Sequence, residues 1–452
     1  MEYVLMHKNI EVCVFDINEK KEIKCLKLLN KEHLPVGTFE DKKLKNWLER
    51  RAISIERLSN QDLLKELDVK TQIDLIIKSN GASLSDQYWI KEKNSILNWE
   101  TINFFDNDFD YSMYEIYISS TKTLDPFPKN HYDNNQLNNA NNNLNGLMPK
   151  AWILYNGKRV LLKGEKQNIQ IFNEAIISKI YDLLNIKHIK YNIARDENNN
   201  LHCMCENYIN KNTEFISAID YLNIKNFSFD NKEKILGIEY LINEWEKEGL
   251  KNVKEYLIKM IALDFILANE DRHYGNFGVV RNPDTLELIE PFPVFDNGNS
   301  LWFNRLSNIN AIGIIAICRM EHFTREWDPL FHKLNIKDFN KYLDFETLIK
   351  IPNIIEQYYL HYKNKYNINI SYTAIQNIKI VVNNNINYLK NYNPKINLYG
   401  EKITIEEDDL NVDKNLNNNQ NNPKYTEEEI KKMQFSEGFS KEENTNNNNL
   451  KM

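Results

Sequence analysis

The stretch Leu263–Gly278, LDFILANEDRHYGNFG, with the block Val294-Phe295-Asp296-Asn297-Gly298 behind it, restricts this chain more than any other feature. Val253 to Ala268 carries Val253, Tyr256, Leu257, Met260, Ile261, Leu263 and Leu267, an apolar helical run long enough to be buried. Such a helix would bring Asp271, and Asn276 five residues later, rigidly onto a loop. Phe277-Gly278-Val279-Val280 then reads as a short strand, Asn282-Pro283-Asp284 as a turn, and the chain returns toward Phe295. Helix, loop, hairpin and second loop would thus set Asp296, with Gly298 behind it, beside Asn276. Singly, Asp271-Arg272 is a surface ion pair and Asp296-Asn297-Gly298 a turn. Together they supply a carboxylate for an incoming hydroxyl and oxygen ligands from Asn276 and Asp296 for magnesium, the needs of phosphoryl transfer.

The segment upstream fits that chemistry. Ala151 to Gly164 reads as a hairpin, Trp152–Tyr155 and Arg159–Lys163 around Asn156-Gly157, the strongest short-range hairpin signal. Lys163 ends the second strand. Glu174 lies in the first turn of an amphipathic helix expected over Ile171–Leu184. A strand lysine aimed by a helix glutamate is a device for holding the α- and β-phosphates of ATP. Strands at Tyr191-Asn192-Ile193 and Leu201–Cys205 lead to Glu206-Asn207-Tyr208, the expected hinge between two lobes; Glu206 and Tyr208 are the candidate adenine-reading positions there. A G-x-G-x-x-G loop is absent, and Gly is sparse, with 13 residues.

DRHYGNFG followed by PVFDNGNSLW resembles the HipA-like kinases, a bacterial branch of the protein-kinase-like fold. Known members phosphorylate proteins on serine or threonine, and several act as toxins. The resemblance implies an α+β, bilobal kinase-like domain, ATP and Mg2+ as cofactors, a protein substrate, and an antitoxin or regulatory protein as partner. It implies Asp271, Asn276 and Asp296 as catalytic residues, and Gly146 and Lys150 as a glycine–lysine loop near the ATP phosphates. Asn143 stands where HipA itself has a regulatory serine, so inhibitory autophosphorylation is not expected at that position. Arg272 and His273 read as loop-shaping first. The blocks Gly81–Ile90 and Asn103–Asn107 resemble the leader region of a clostridial-type HipA-like subgroup; a turn, helix caps and aromatic anchors explain them equally well. Phosphoinositide kinases share a similar Asp-Arg-His-x-x-Asn loop. Against them, Leu301–Pro329 balances Arg305, Arg319 and Arg325 with Glu321, Glu326 and Asp328, which offers no field for an anionic lipid.

At 452 residues the chain has room for two or three domains. The expected division is an α+β N-terminal region over 1–132, a mobile Asn-rich linker over 133–145, an N-lobe over 146–210, a C-lobe over 211–392, and a disordered Asn-rich tail over 393–452. A net charge of -7 argues against direct nucleic-acid binding. Cys203-x-Cys205 lacks a second pair, so reduced thiols rather than a zinc site are expected. Without a signal peptide or membrane span in the pattern, a cytoplasmic protein with no membrane contact is expected.

Overall fold

The structure, a computed structural model, describes residues 1–53, 69–109, 118, 139–144, 148–164, 169–196, 200–227, 236–302, 330–332 and 334–395. These residues all belong to one compact unit, Met1–Glu401. Gly146, most of Leu301–Pro329 and the tail beyond 395 lie outside them.

The N-terminal region begins with β1 (Glu2–His7), β2 (Ile10–Ile17) and β3 (Ile23–Leu28), followed by α1 (Asp41–Glu49) and α2 (Gln72–Lys78). β4 (Tyr88–Glu92) closes an antiparallel sheet in the order β3-β2-β1-β4. The period of two along β1 serves two cores: Tyr3 and Leu5 enter one cluster, Val4 and Met6 another. α2 starts on a capping box, in which Thr71 and Asp74 each satisfy a backbone N–H of the other.

β5 (Lys150–Tyr155) and β6 (Lys158–Lys163) form the expected hairpin. Asn156 and Gly157 both take positive φ, 51° and 73°, as a tight two-residue turn requires. After α3 (Ile169–Leu183), β7 (Asn192–Arg195) and β8 (Leu201–Glu206) complete a second antiparallel sheet, β5-β6-β8-β7.

The chain then crosses to a C-terminal half. It contains β9 (Glu214–Ser217), α4 (Ala218–Ile224), α5 (Leu236–Lys247), α6 (Val253–Leu267), β10 (Gly278–Arg281) and β11 (Leu288–Pro291). α7 (Ile351–Tyr366) and α8 (Tyr372–Lys390) finish it. The three short strands pair as β11-β10-β9. Gly278 is required where β10 meets β9, because a Cβ there would lie 2.1 Å from the Ile216 carbonyl oxygen. α6 is buried along nearly its whole length, and Asn385 of α8 donates to its last carbonyls, Phe265 and Ile266, at 3.1 and 3.3 Å. The end of α6 is therefore fixed before the loop begins.

Two expectations need correction. The Asn-rich tract is not a mobile linker where it is described: Asn139 and Asn141–Asn143 are buried. Asn141 Nδ2 donates to the Trp152 carbonyl at 3.0 Å and its Oδ1 accepts from Trp152 N at 2.5 Å, so the side chain extends the β5 edge like another strand. Asn143 Nδ2 donates to the Ala82 carbonyl at 2.8 Å and to Ser79 Oγ at 3.2 Å. Asparagine carries a donor and an acceptor in one planar group, so it can satisfy buried backbone that an apolar residue would orphan. The N-terminal region also does not stand apart, because Ala151, Val160 and Leu162 of the β5–β6 hairpin complete the same core as Leu5, Phe15 and Leu48.

Candidate active site

The site is built around Lys163, the last residue of β6, which is buried. Its ammonium donates to Glu174 Oε1 at 2.8 Å, to Tyr191 Oη at 3.1 Å and to Asp296 Oδ1 at 3.1 Å. Burial alone would lower the Lys163 pKa, but Asp296 and Glu174 outweigh it and hold the ammonium well above its ordinary value. Glu174 is fully buried on α3, and burial pushes its carboxyl up against the opposing pull of Lys163. Its second oxygen accepts from the backbone N–H of Asn297 at 2.9 Å. Burial would also raise Asp296, yet Lys163 and Lys150 overcome it and keep that carboxylate far below the usual range. Asp296 retains 38% side-chain exposure, so it faces the opening while Lys163 and Glu174 do not.

Asp296 takes a left-handed backbone, φ 59°, unusual for a residue with a side chain. Strained backbone of this kind persists only where neighbours dictate it. Here Asn297 N is tied to Glu174, while Asn173 Nδ2 of α3 donates to the Gly298 and Ser300 carbonyls at 3.1 and 2.7 Å. Asn173 in turn accepts from Tyr359 of α7 at 2.5 Å. The helix carrying Glu174 is thereby joined to the C-terminal half as well as to its own sheet.

The loop after α6 is shaped by Arg272, whose five N–H groups all have partners. Nε and Nη2 donate to the two oxygens of Asp264 at 2.9 and 3.1 Å. Nη1 donates to the Asn276 and Phe295 carbonyls at 2.9 and 2.6 Å, and Nη2 to Asn297 Oδ1 at 2.7 Å. One buried guanidinium thus holds the Asp271–Asn276 loop and the Asp296 loop in a single arrangement. Asn276 Nδ2 donates to the Asp271 carbonyl at 2.8 Å, which leaves its amide oxygen as the acceptor end. The Asp271 side chain lies at the surface, and Asn299 Nδ2 donates to its Oδ2 at 2.6 Å.

Lys163, Glu174 and Asp296 are thus brought together, and Asp271 and Asn276 share the neighbouring loop. Lys150 is the first residue of β5, directly across the ladder from Lys163, and its charge reaches Asp296. Glu206 and Tyr208 do not join this group through their side chains. Glu206 pairs with Lys158 at 2.8 Å on the surface, and Tyr208 donates to Glu290 at 2.5 Å beneath the ammonium of Lys187. Both lie at the crossing between the second sheet and β9. Gly146 lies outside the described residues.

Sequence reasoning missed Tyr191, Asp264, Asn297 and Asn299. Asp264 left a signal, a lone carboxylate in the buried run Leu263-Asp264-Phe265, eight residues before an arginine. The donor set suits a small hard cation completed by phosphate oxygens: one carboxylate and one amide oxygen, with no cluster of three or more His, Cys, Asp or Glu able to hold a metal among the described residues. No described helix is long and apolar enough to cross a membrane.

A lysine-bearing antiparallel sheet with its glutamate helix, set over a mainly helical half with two catalytic-type loops, defines a bilobal α+β, protein-kinase-like fold. One solved structure agrees on that fold. No family model matches the sequence, and no curated protein matches it. Among solved structures, the chain is similar to one in the Shewanella oneidensis MR-1 toxin–antitoxin complex of HipA, HipB and its operator DNA. That match has a TM-score of 0.50 at 11% identity and covers 85% of this chain and 96% of that one. It is also similar to the proinflammatory kinase CtkA of Helicobacter pylori, with a TM-score of 0.33 at 16% identity over 54% of this chain and 91% of that one.

Proposed function

We propose that this chain is a HipA-like kinase that transfers the γ-phosphoryl group of ATP to serine or threonine of a protein. The observation that carries the reading is the buried Lys163, held at once by Glu174 and by Asp296. A lysine placed only for stability would not need a second, half-exposed carboxylate at the mouth of the cleft. Lys163 and Lys150 would hold ATP phosphates, with Glu174 fixing the direction of Lys163. Asn276 and Asp296 would hold Mg2+, which supplies charge neutralisation on the β- and γ-phosphates. Asp271 accepts the proton of the acceptor hydroxyl as that oxygen bonds to the γ-phosphorus. The bond to the bridging oxygen breaks, and its electron pair leaves with ADP. Backbone of Glu206–Tyr208 would read adenine, and Gly146 would complete the phosphate loop. Membership of the clostridial-type subgroup rests on the blocks at Gly81–Ile90 and Asn103–Asn107 alone, and an antitoxin partner of the HipB kind is inferred by analogy with the complex above.

Asp271→Asn should lower turnover by about 100-fold or more, the scale of a positioned base, with Mg-ATP affinity retained. Asp296→Ala should weaken Mg-dependent ATP binding by calorimetric titration. The acceptor class is read by offering protein and phosphatidylinositol vesicles in parallel with labelled ATP. Wild-type turnover in Asp271→Asn would remove the catalytic assignment, and lipid product without protein product would replace the substrate class.

A further inference from the structure

We propose that Asn299 is a positioning residue for phosphoryl transfer, aiming the Asp271 carboxylate and linking it through Gln170 to the helix that bears Glu174. This rests on the kinase reading above. Asn299 Nδ2 donates to Asp271 Oδ2 at 2.6 Å. Its amide oxygen accepts from Gln170 Nε2, in the first turn of α3.

The backbone that carries Asn299 is fixed on both sides. Asn297 N is bonded to Glu174, the Gly298 and Ser300 carbonyls are bonded to Asn173, and Leu301 N donates to the Leu267 carbonyl at 2.8 Å. Gly298 lets the start of α3 approach, since a Cβ there would meet Gln170 Cβ at 3.2 Å and the Gln170 carbonyl oxygen at 3.4 Å. A rigid backbone thus delivers a neutral donor to one oxygen of an otherwise exposed carboxylate. The chemistry favours this choice. An amide fixes orientation while taking little basicity from the carboxylate, whereas an ammonium at the same distance would depress it.

Gln170 and Glu174 are four residues apart and so lie on one face of α3. The same helix position that aims Lys163 therefore aims Asp271, and displacement of α3 would release both groups together. Asn299 touches neither nucleotide nor acceptor in this scheme; it acts through Asp271.

The test uses the full chain, measuring ADP release against pH for wild type, Asn299→Ala, Asn299→Asp, Asn299→Gln and Asp271→Asn, with melting temperatures and Mg-ATP titrations alongside. Asn299→Ala should lower kcat roughly 10- to 100-fold, the scale of a misaimed catalytic group, with KM for ATP and melting temperature close to wild type. Asn299→Asp sets a like charge against Asp271, so the acid limb of the kcat profile should move up by about one pH unit. Asn299→Gln keeps the amide donor and should recover part of the loss. If the Asn299 variants match wild type in kcat and pH profile while Asp271→Asn is inactive, the inference fails and the site reading stands. If Asn299→Ala loses kcat only in step with melting temperature and ATP affinity, the role is structural and the inference again fails. Wild-type turnover in Asp271→Asn, or no turnover in the wild type, would overturn the kinase reading and this inference with it.

Discussion

Glu174 shows how little a single buried charge in this site owes to stability. Its carboxyl is fully buried and its pKa is raised by burial, so ionisation near neutral pH costs folding energy that the Lys163 contact only partly offsets. A carboxyl raised in this direction stabilises the fold in its protonated form, below the unfolded value of 4.5, and loses that contribution as pH rises through the folded value. Glu174→Gln removes the charge, keeps the shape, and leaves Lys163 paired with Asp296. Melting temperature at pH 7 should therefore stay within about 1 °C of wild type, or about 1 kcal/mol for a chain of this size. Mg-ATP affinity should fall by about tenfold or more, because Lys163 then turns wholly to Asp296 and neutralises the carboxylate that the cation needs. A scanning-calorimetry and titration pair checks this; loss of melting temperature without loss of affinity would make Glu174 a structural residue.

Among the elements, the end of α6 and its two loops behave as one object because Arg272 saturates them. The reading of Arg272 as loop-shaping first and catalytic second came from its resemblance to a family position. Its partner was not read, although Asp264 sits inside an apolar run, because periodicity reports which face is buried and not what a buried charge meets. Breaking a buried ion pair by removing one member costs about 3–5 kcal/mol. Arg272→Lys should show most of that loss in urea denaturation, since three donors cannot replace five, and Asp264 stays buried. A shift in midpoint equivalent to less than about 1 kcal/mol would mean that the loops are held by something else. The hairpin β5–β6 and the helices α3 and α6 were legible for the opposite reason. Their signals are local, Asn156-Gly157 for the turn and repeating apolar positions for the rest. Asn299 on Asp271 was illegible because an asparagine among many in an Asn-rich chain carries no mark until two loops meet. The Asn139–Asn143 segment misled for the same cause, its composition that of a solvated linker and its position that of a core edge.

At the scale of the whole molecule, a closed ring of buried polar groups joins the N-terminal region to the C-terminal half. Arg281 of β10 donates to Glu214 Oε1 of β9 at 2.7 Å and to Tyr88 Oη of β4 at 3.1 Å. Tyr88 donates to the His33 carbonyl at 2.9 Å, the His33 and His7 Nδ1 atoms are 2.6 Å apart, and His7 Nε2 lies 3.0 Å from Glu214 Oε2. With Glu214 accepting, His7 donates through Nε2, and the two Nδ1 atoms share one hydrogen bond, an assignment made from the network. The same region holds the crossing between lobes: Gln87 donates to the Asn210 and Thr213 carbonyls, Asn207 to the Leu84 carbonyl, and Phe215 N to the Ser85 carbonyl. No local pattern joins His7 to Glu214 across 207 positions, so the region reads from sequence as a separate leader. The ring also gives the fold an acid-sensitive joint. Burial would raise Glu214, but Arg281 and His7 lower it to about 2, so its ionised form stabilises the protein fully above 4.5 and progressively less down to about 2. That shift corresponds to about 3 kcal/mol. His33 is lowered by burial, then by His7 and Arg281, against the weaker opposing pull of Glu214 and Glu32. The unfolded chain therefore takes up a proton below about 6.5 that the folded ring resists. Stability should fall in two acid stages, the first beginning below about pH 6.5 from His33 and the second below about pH 4.5 from Glu214. Glu214→Gln should lower stability at pH 7 by about 3–5 kcal/mol, because Arg281 loses its counter-charge, and should flatten the second stage while leaving the first. Urea midpoints across the acid range decide it: an unchanged slope below pH 4.5 in Glu214→Gln would show that the joint between the N-terminal region and the C-terminal half does not set the acid limit of this fold.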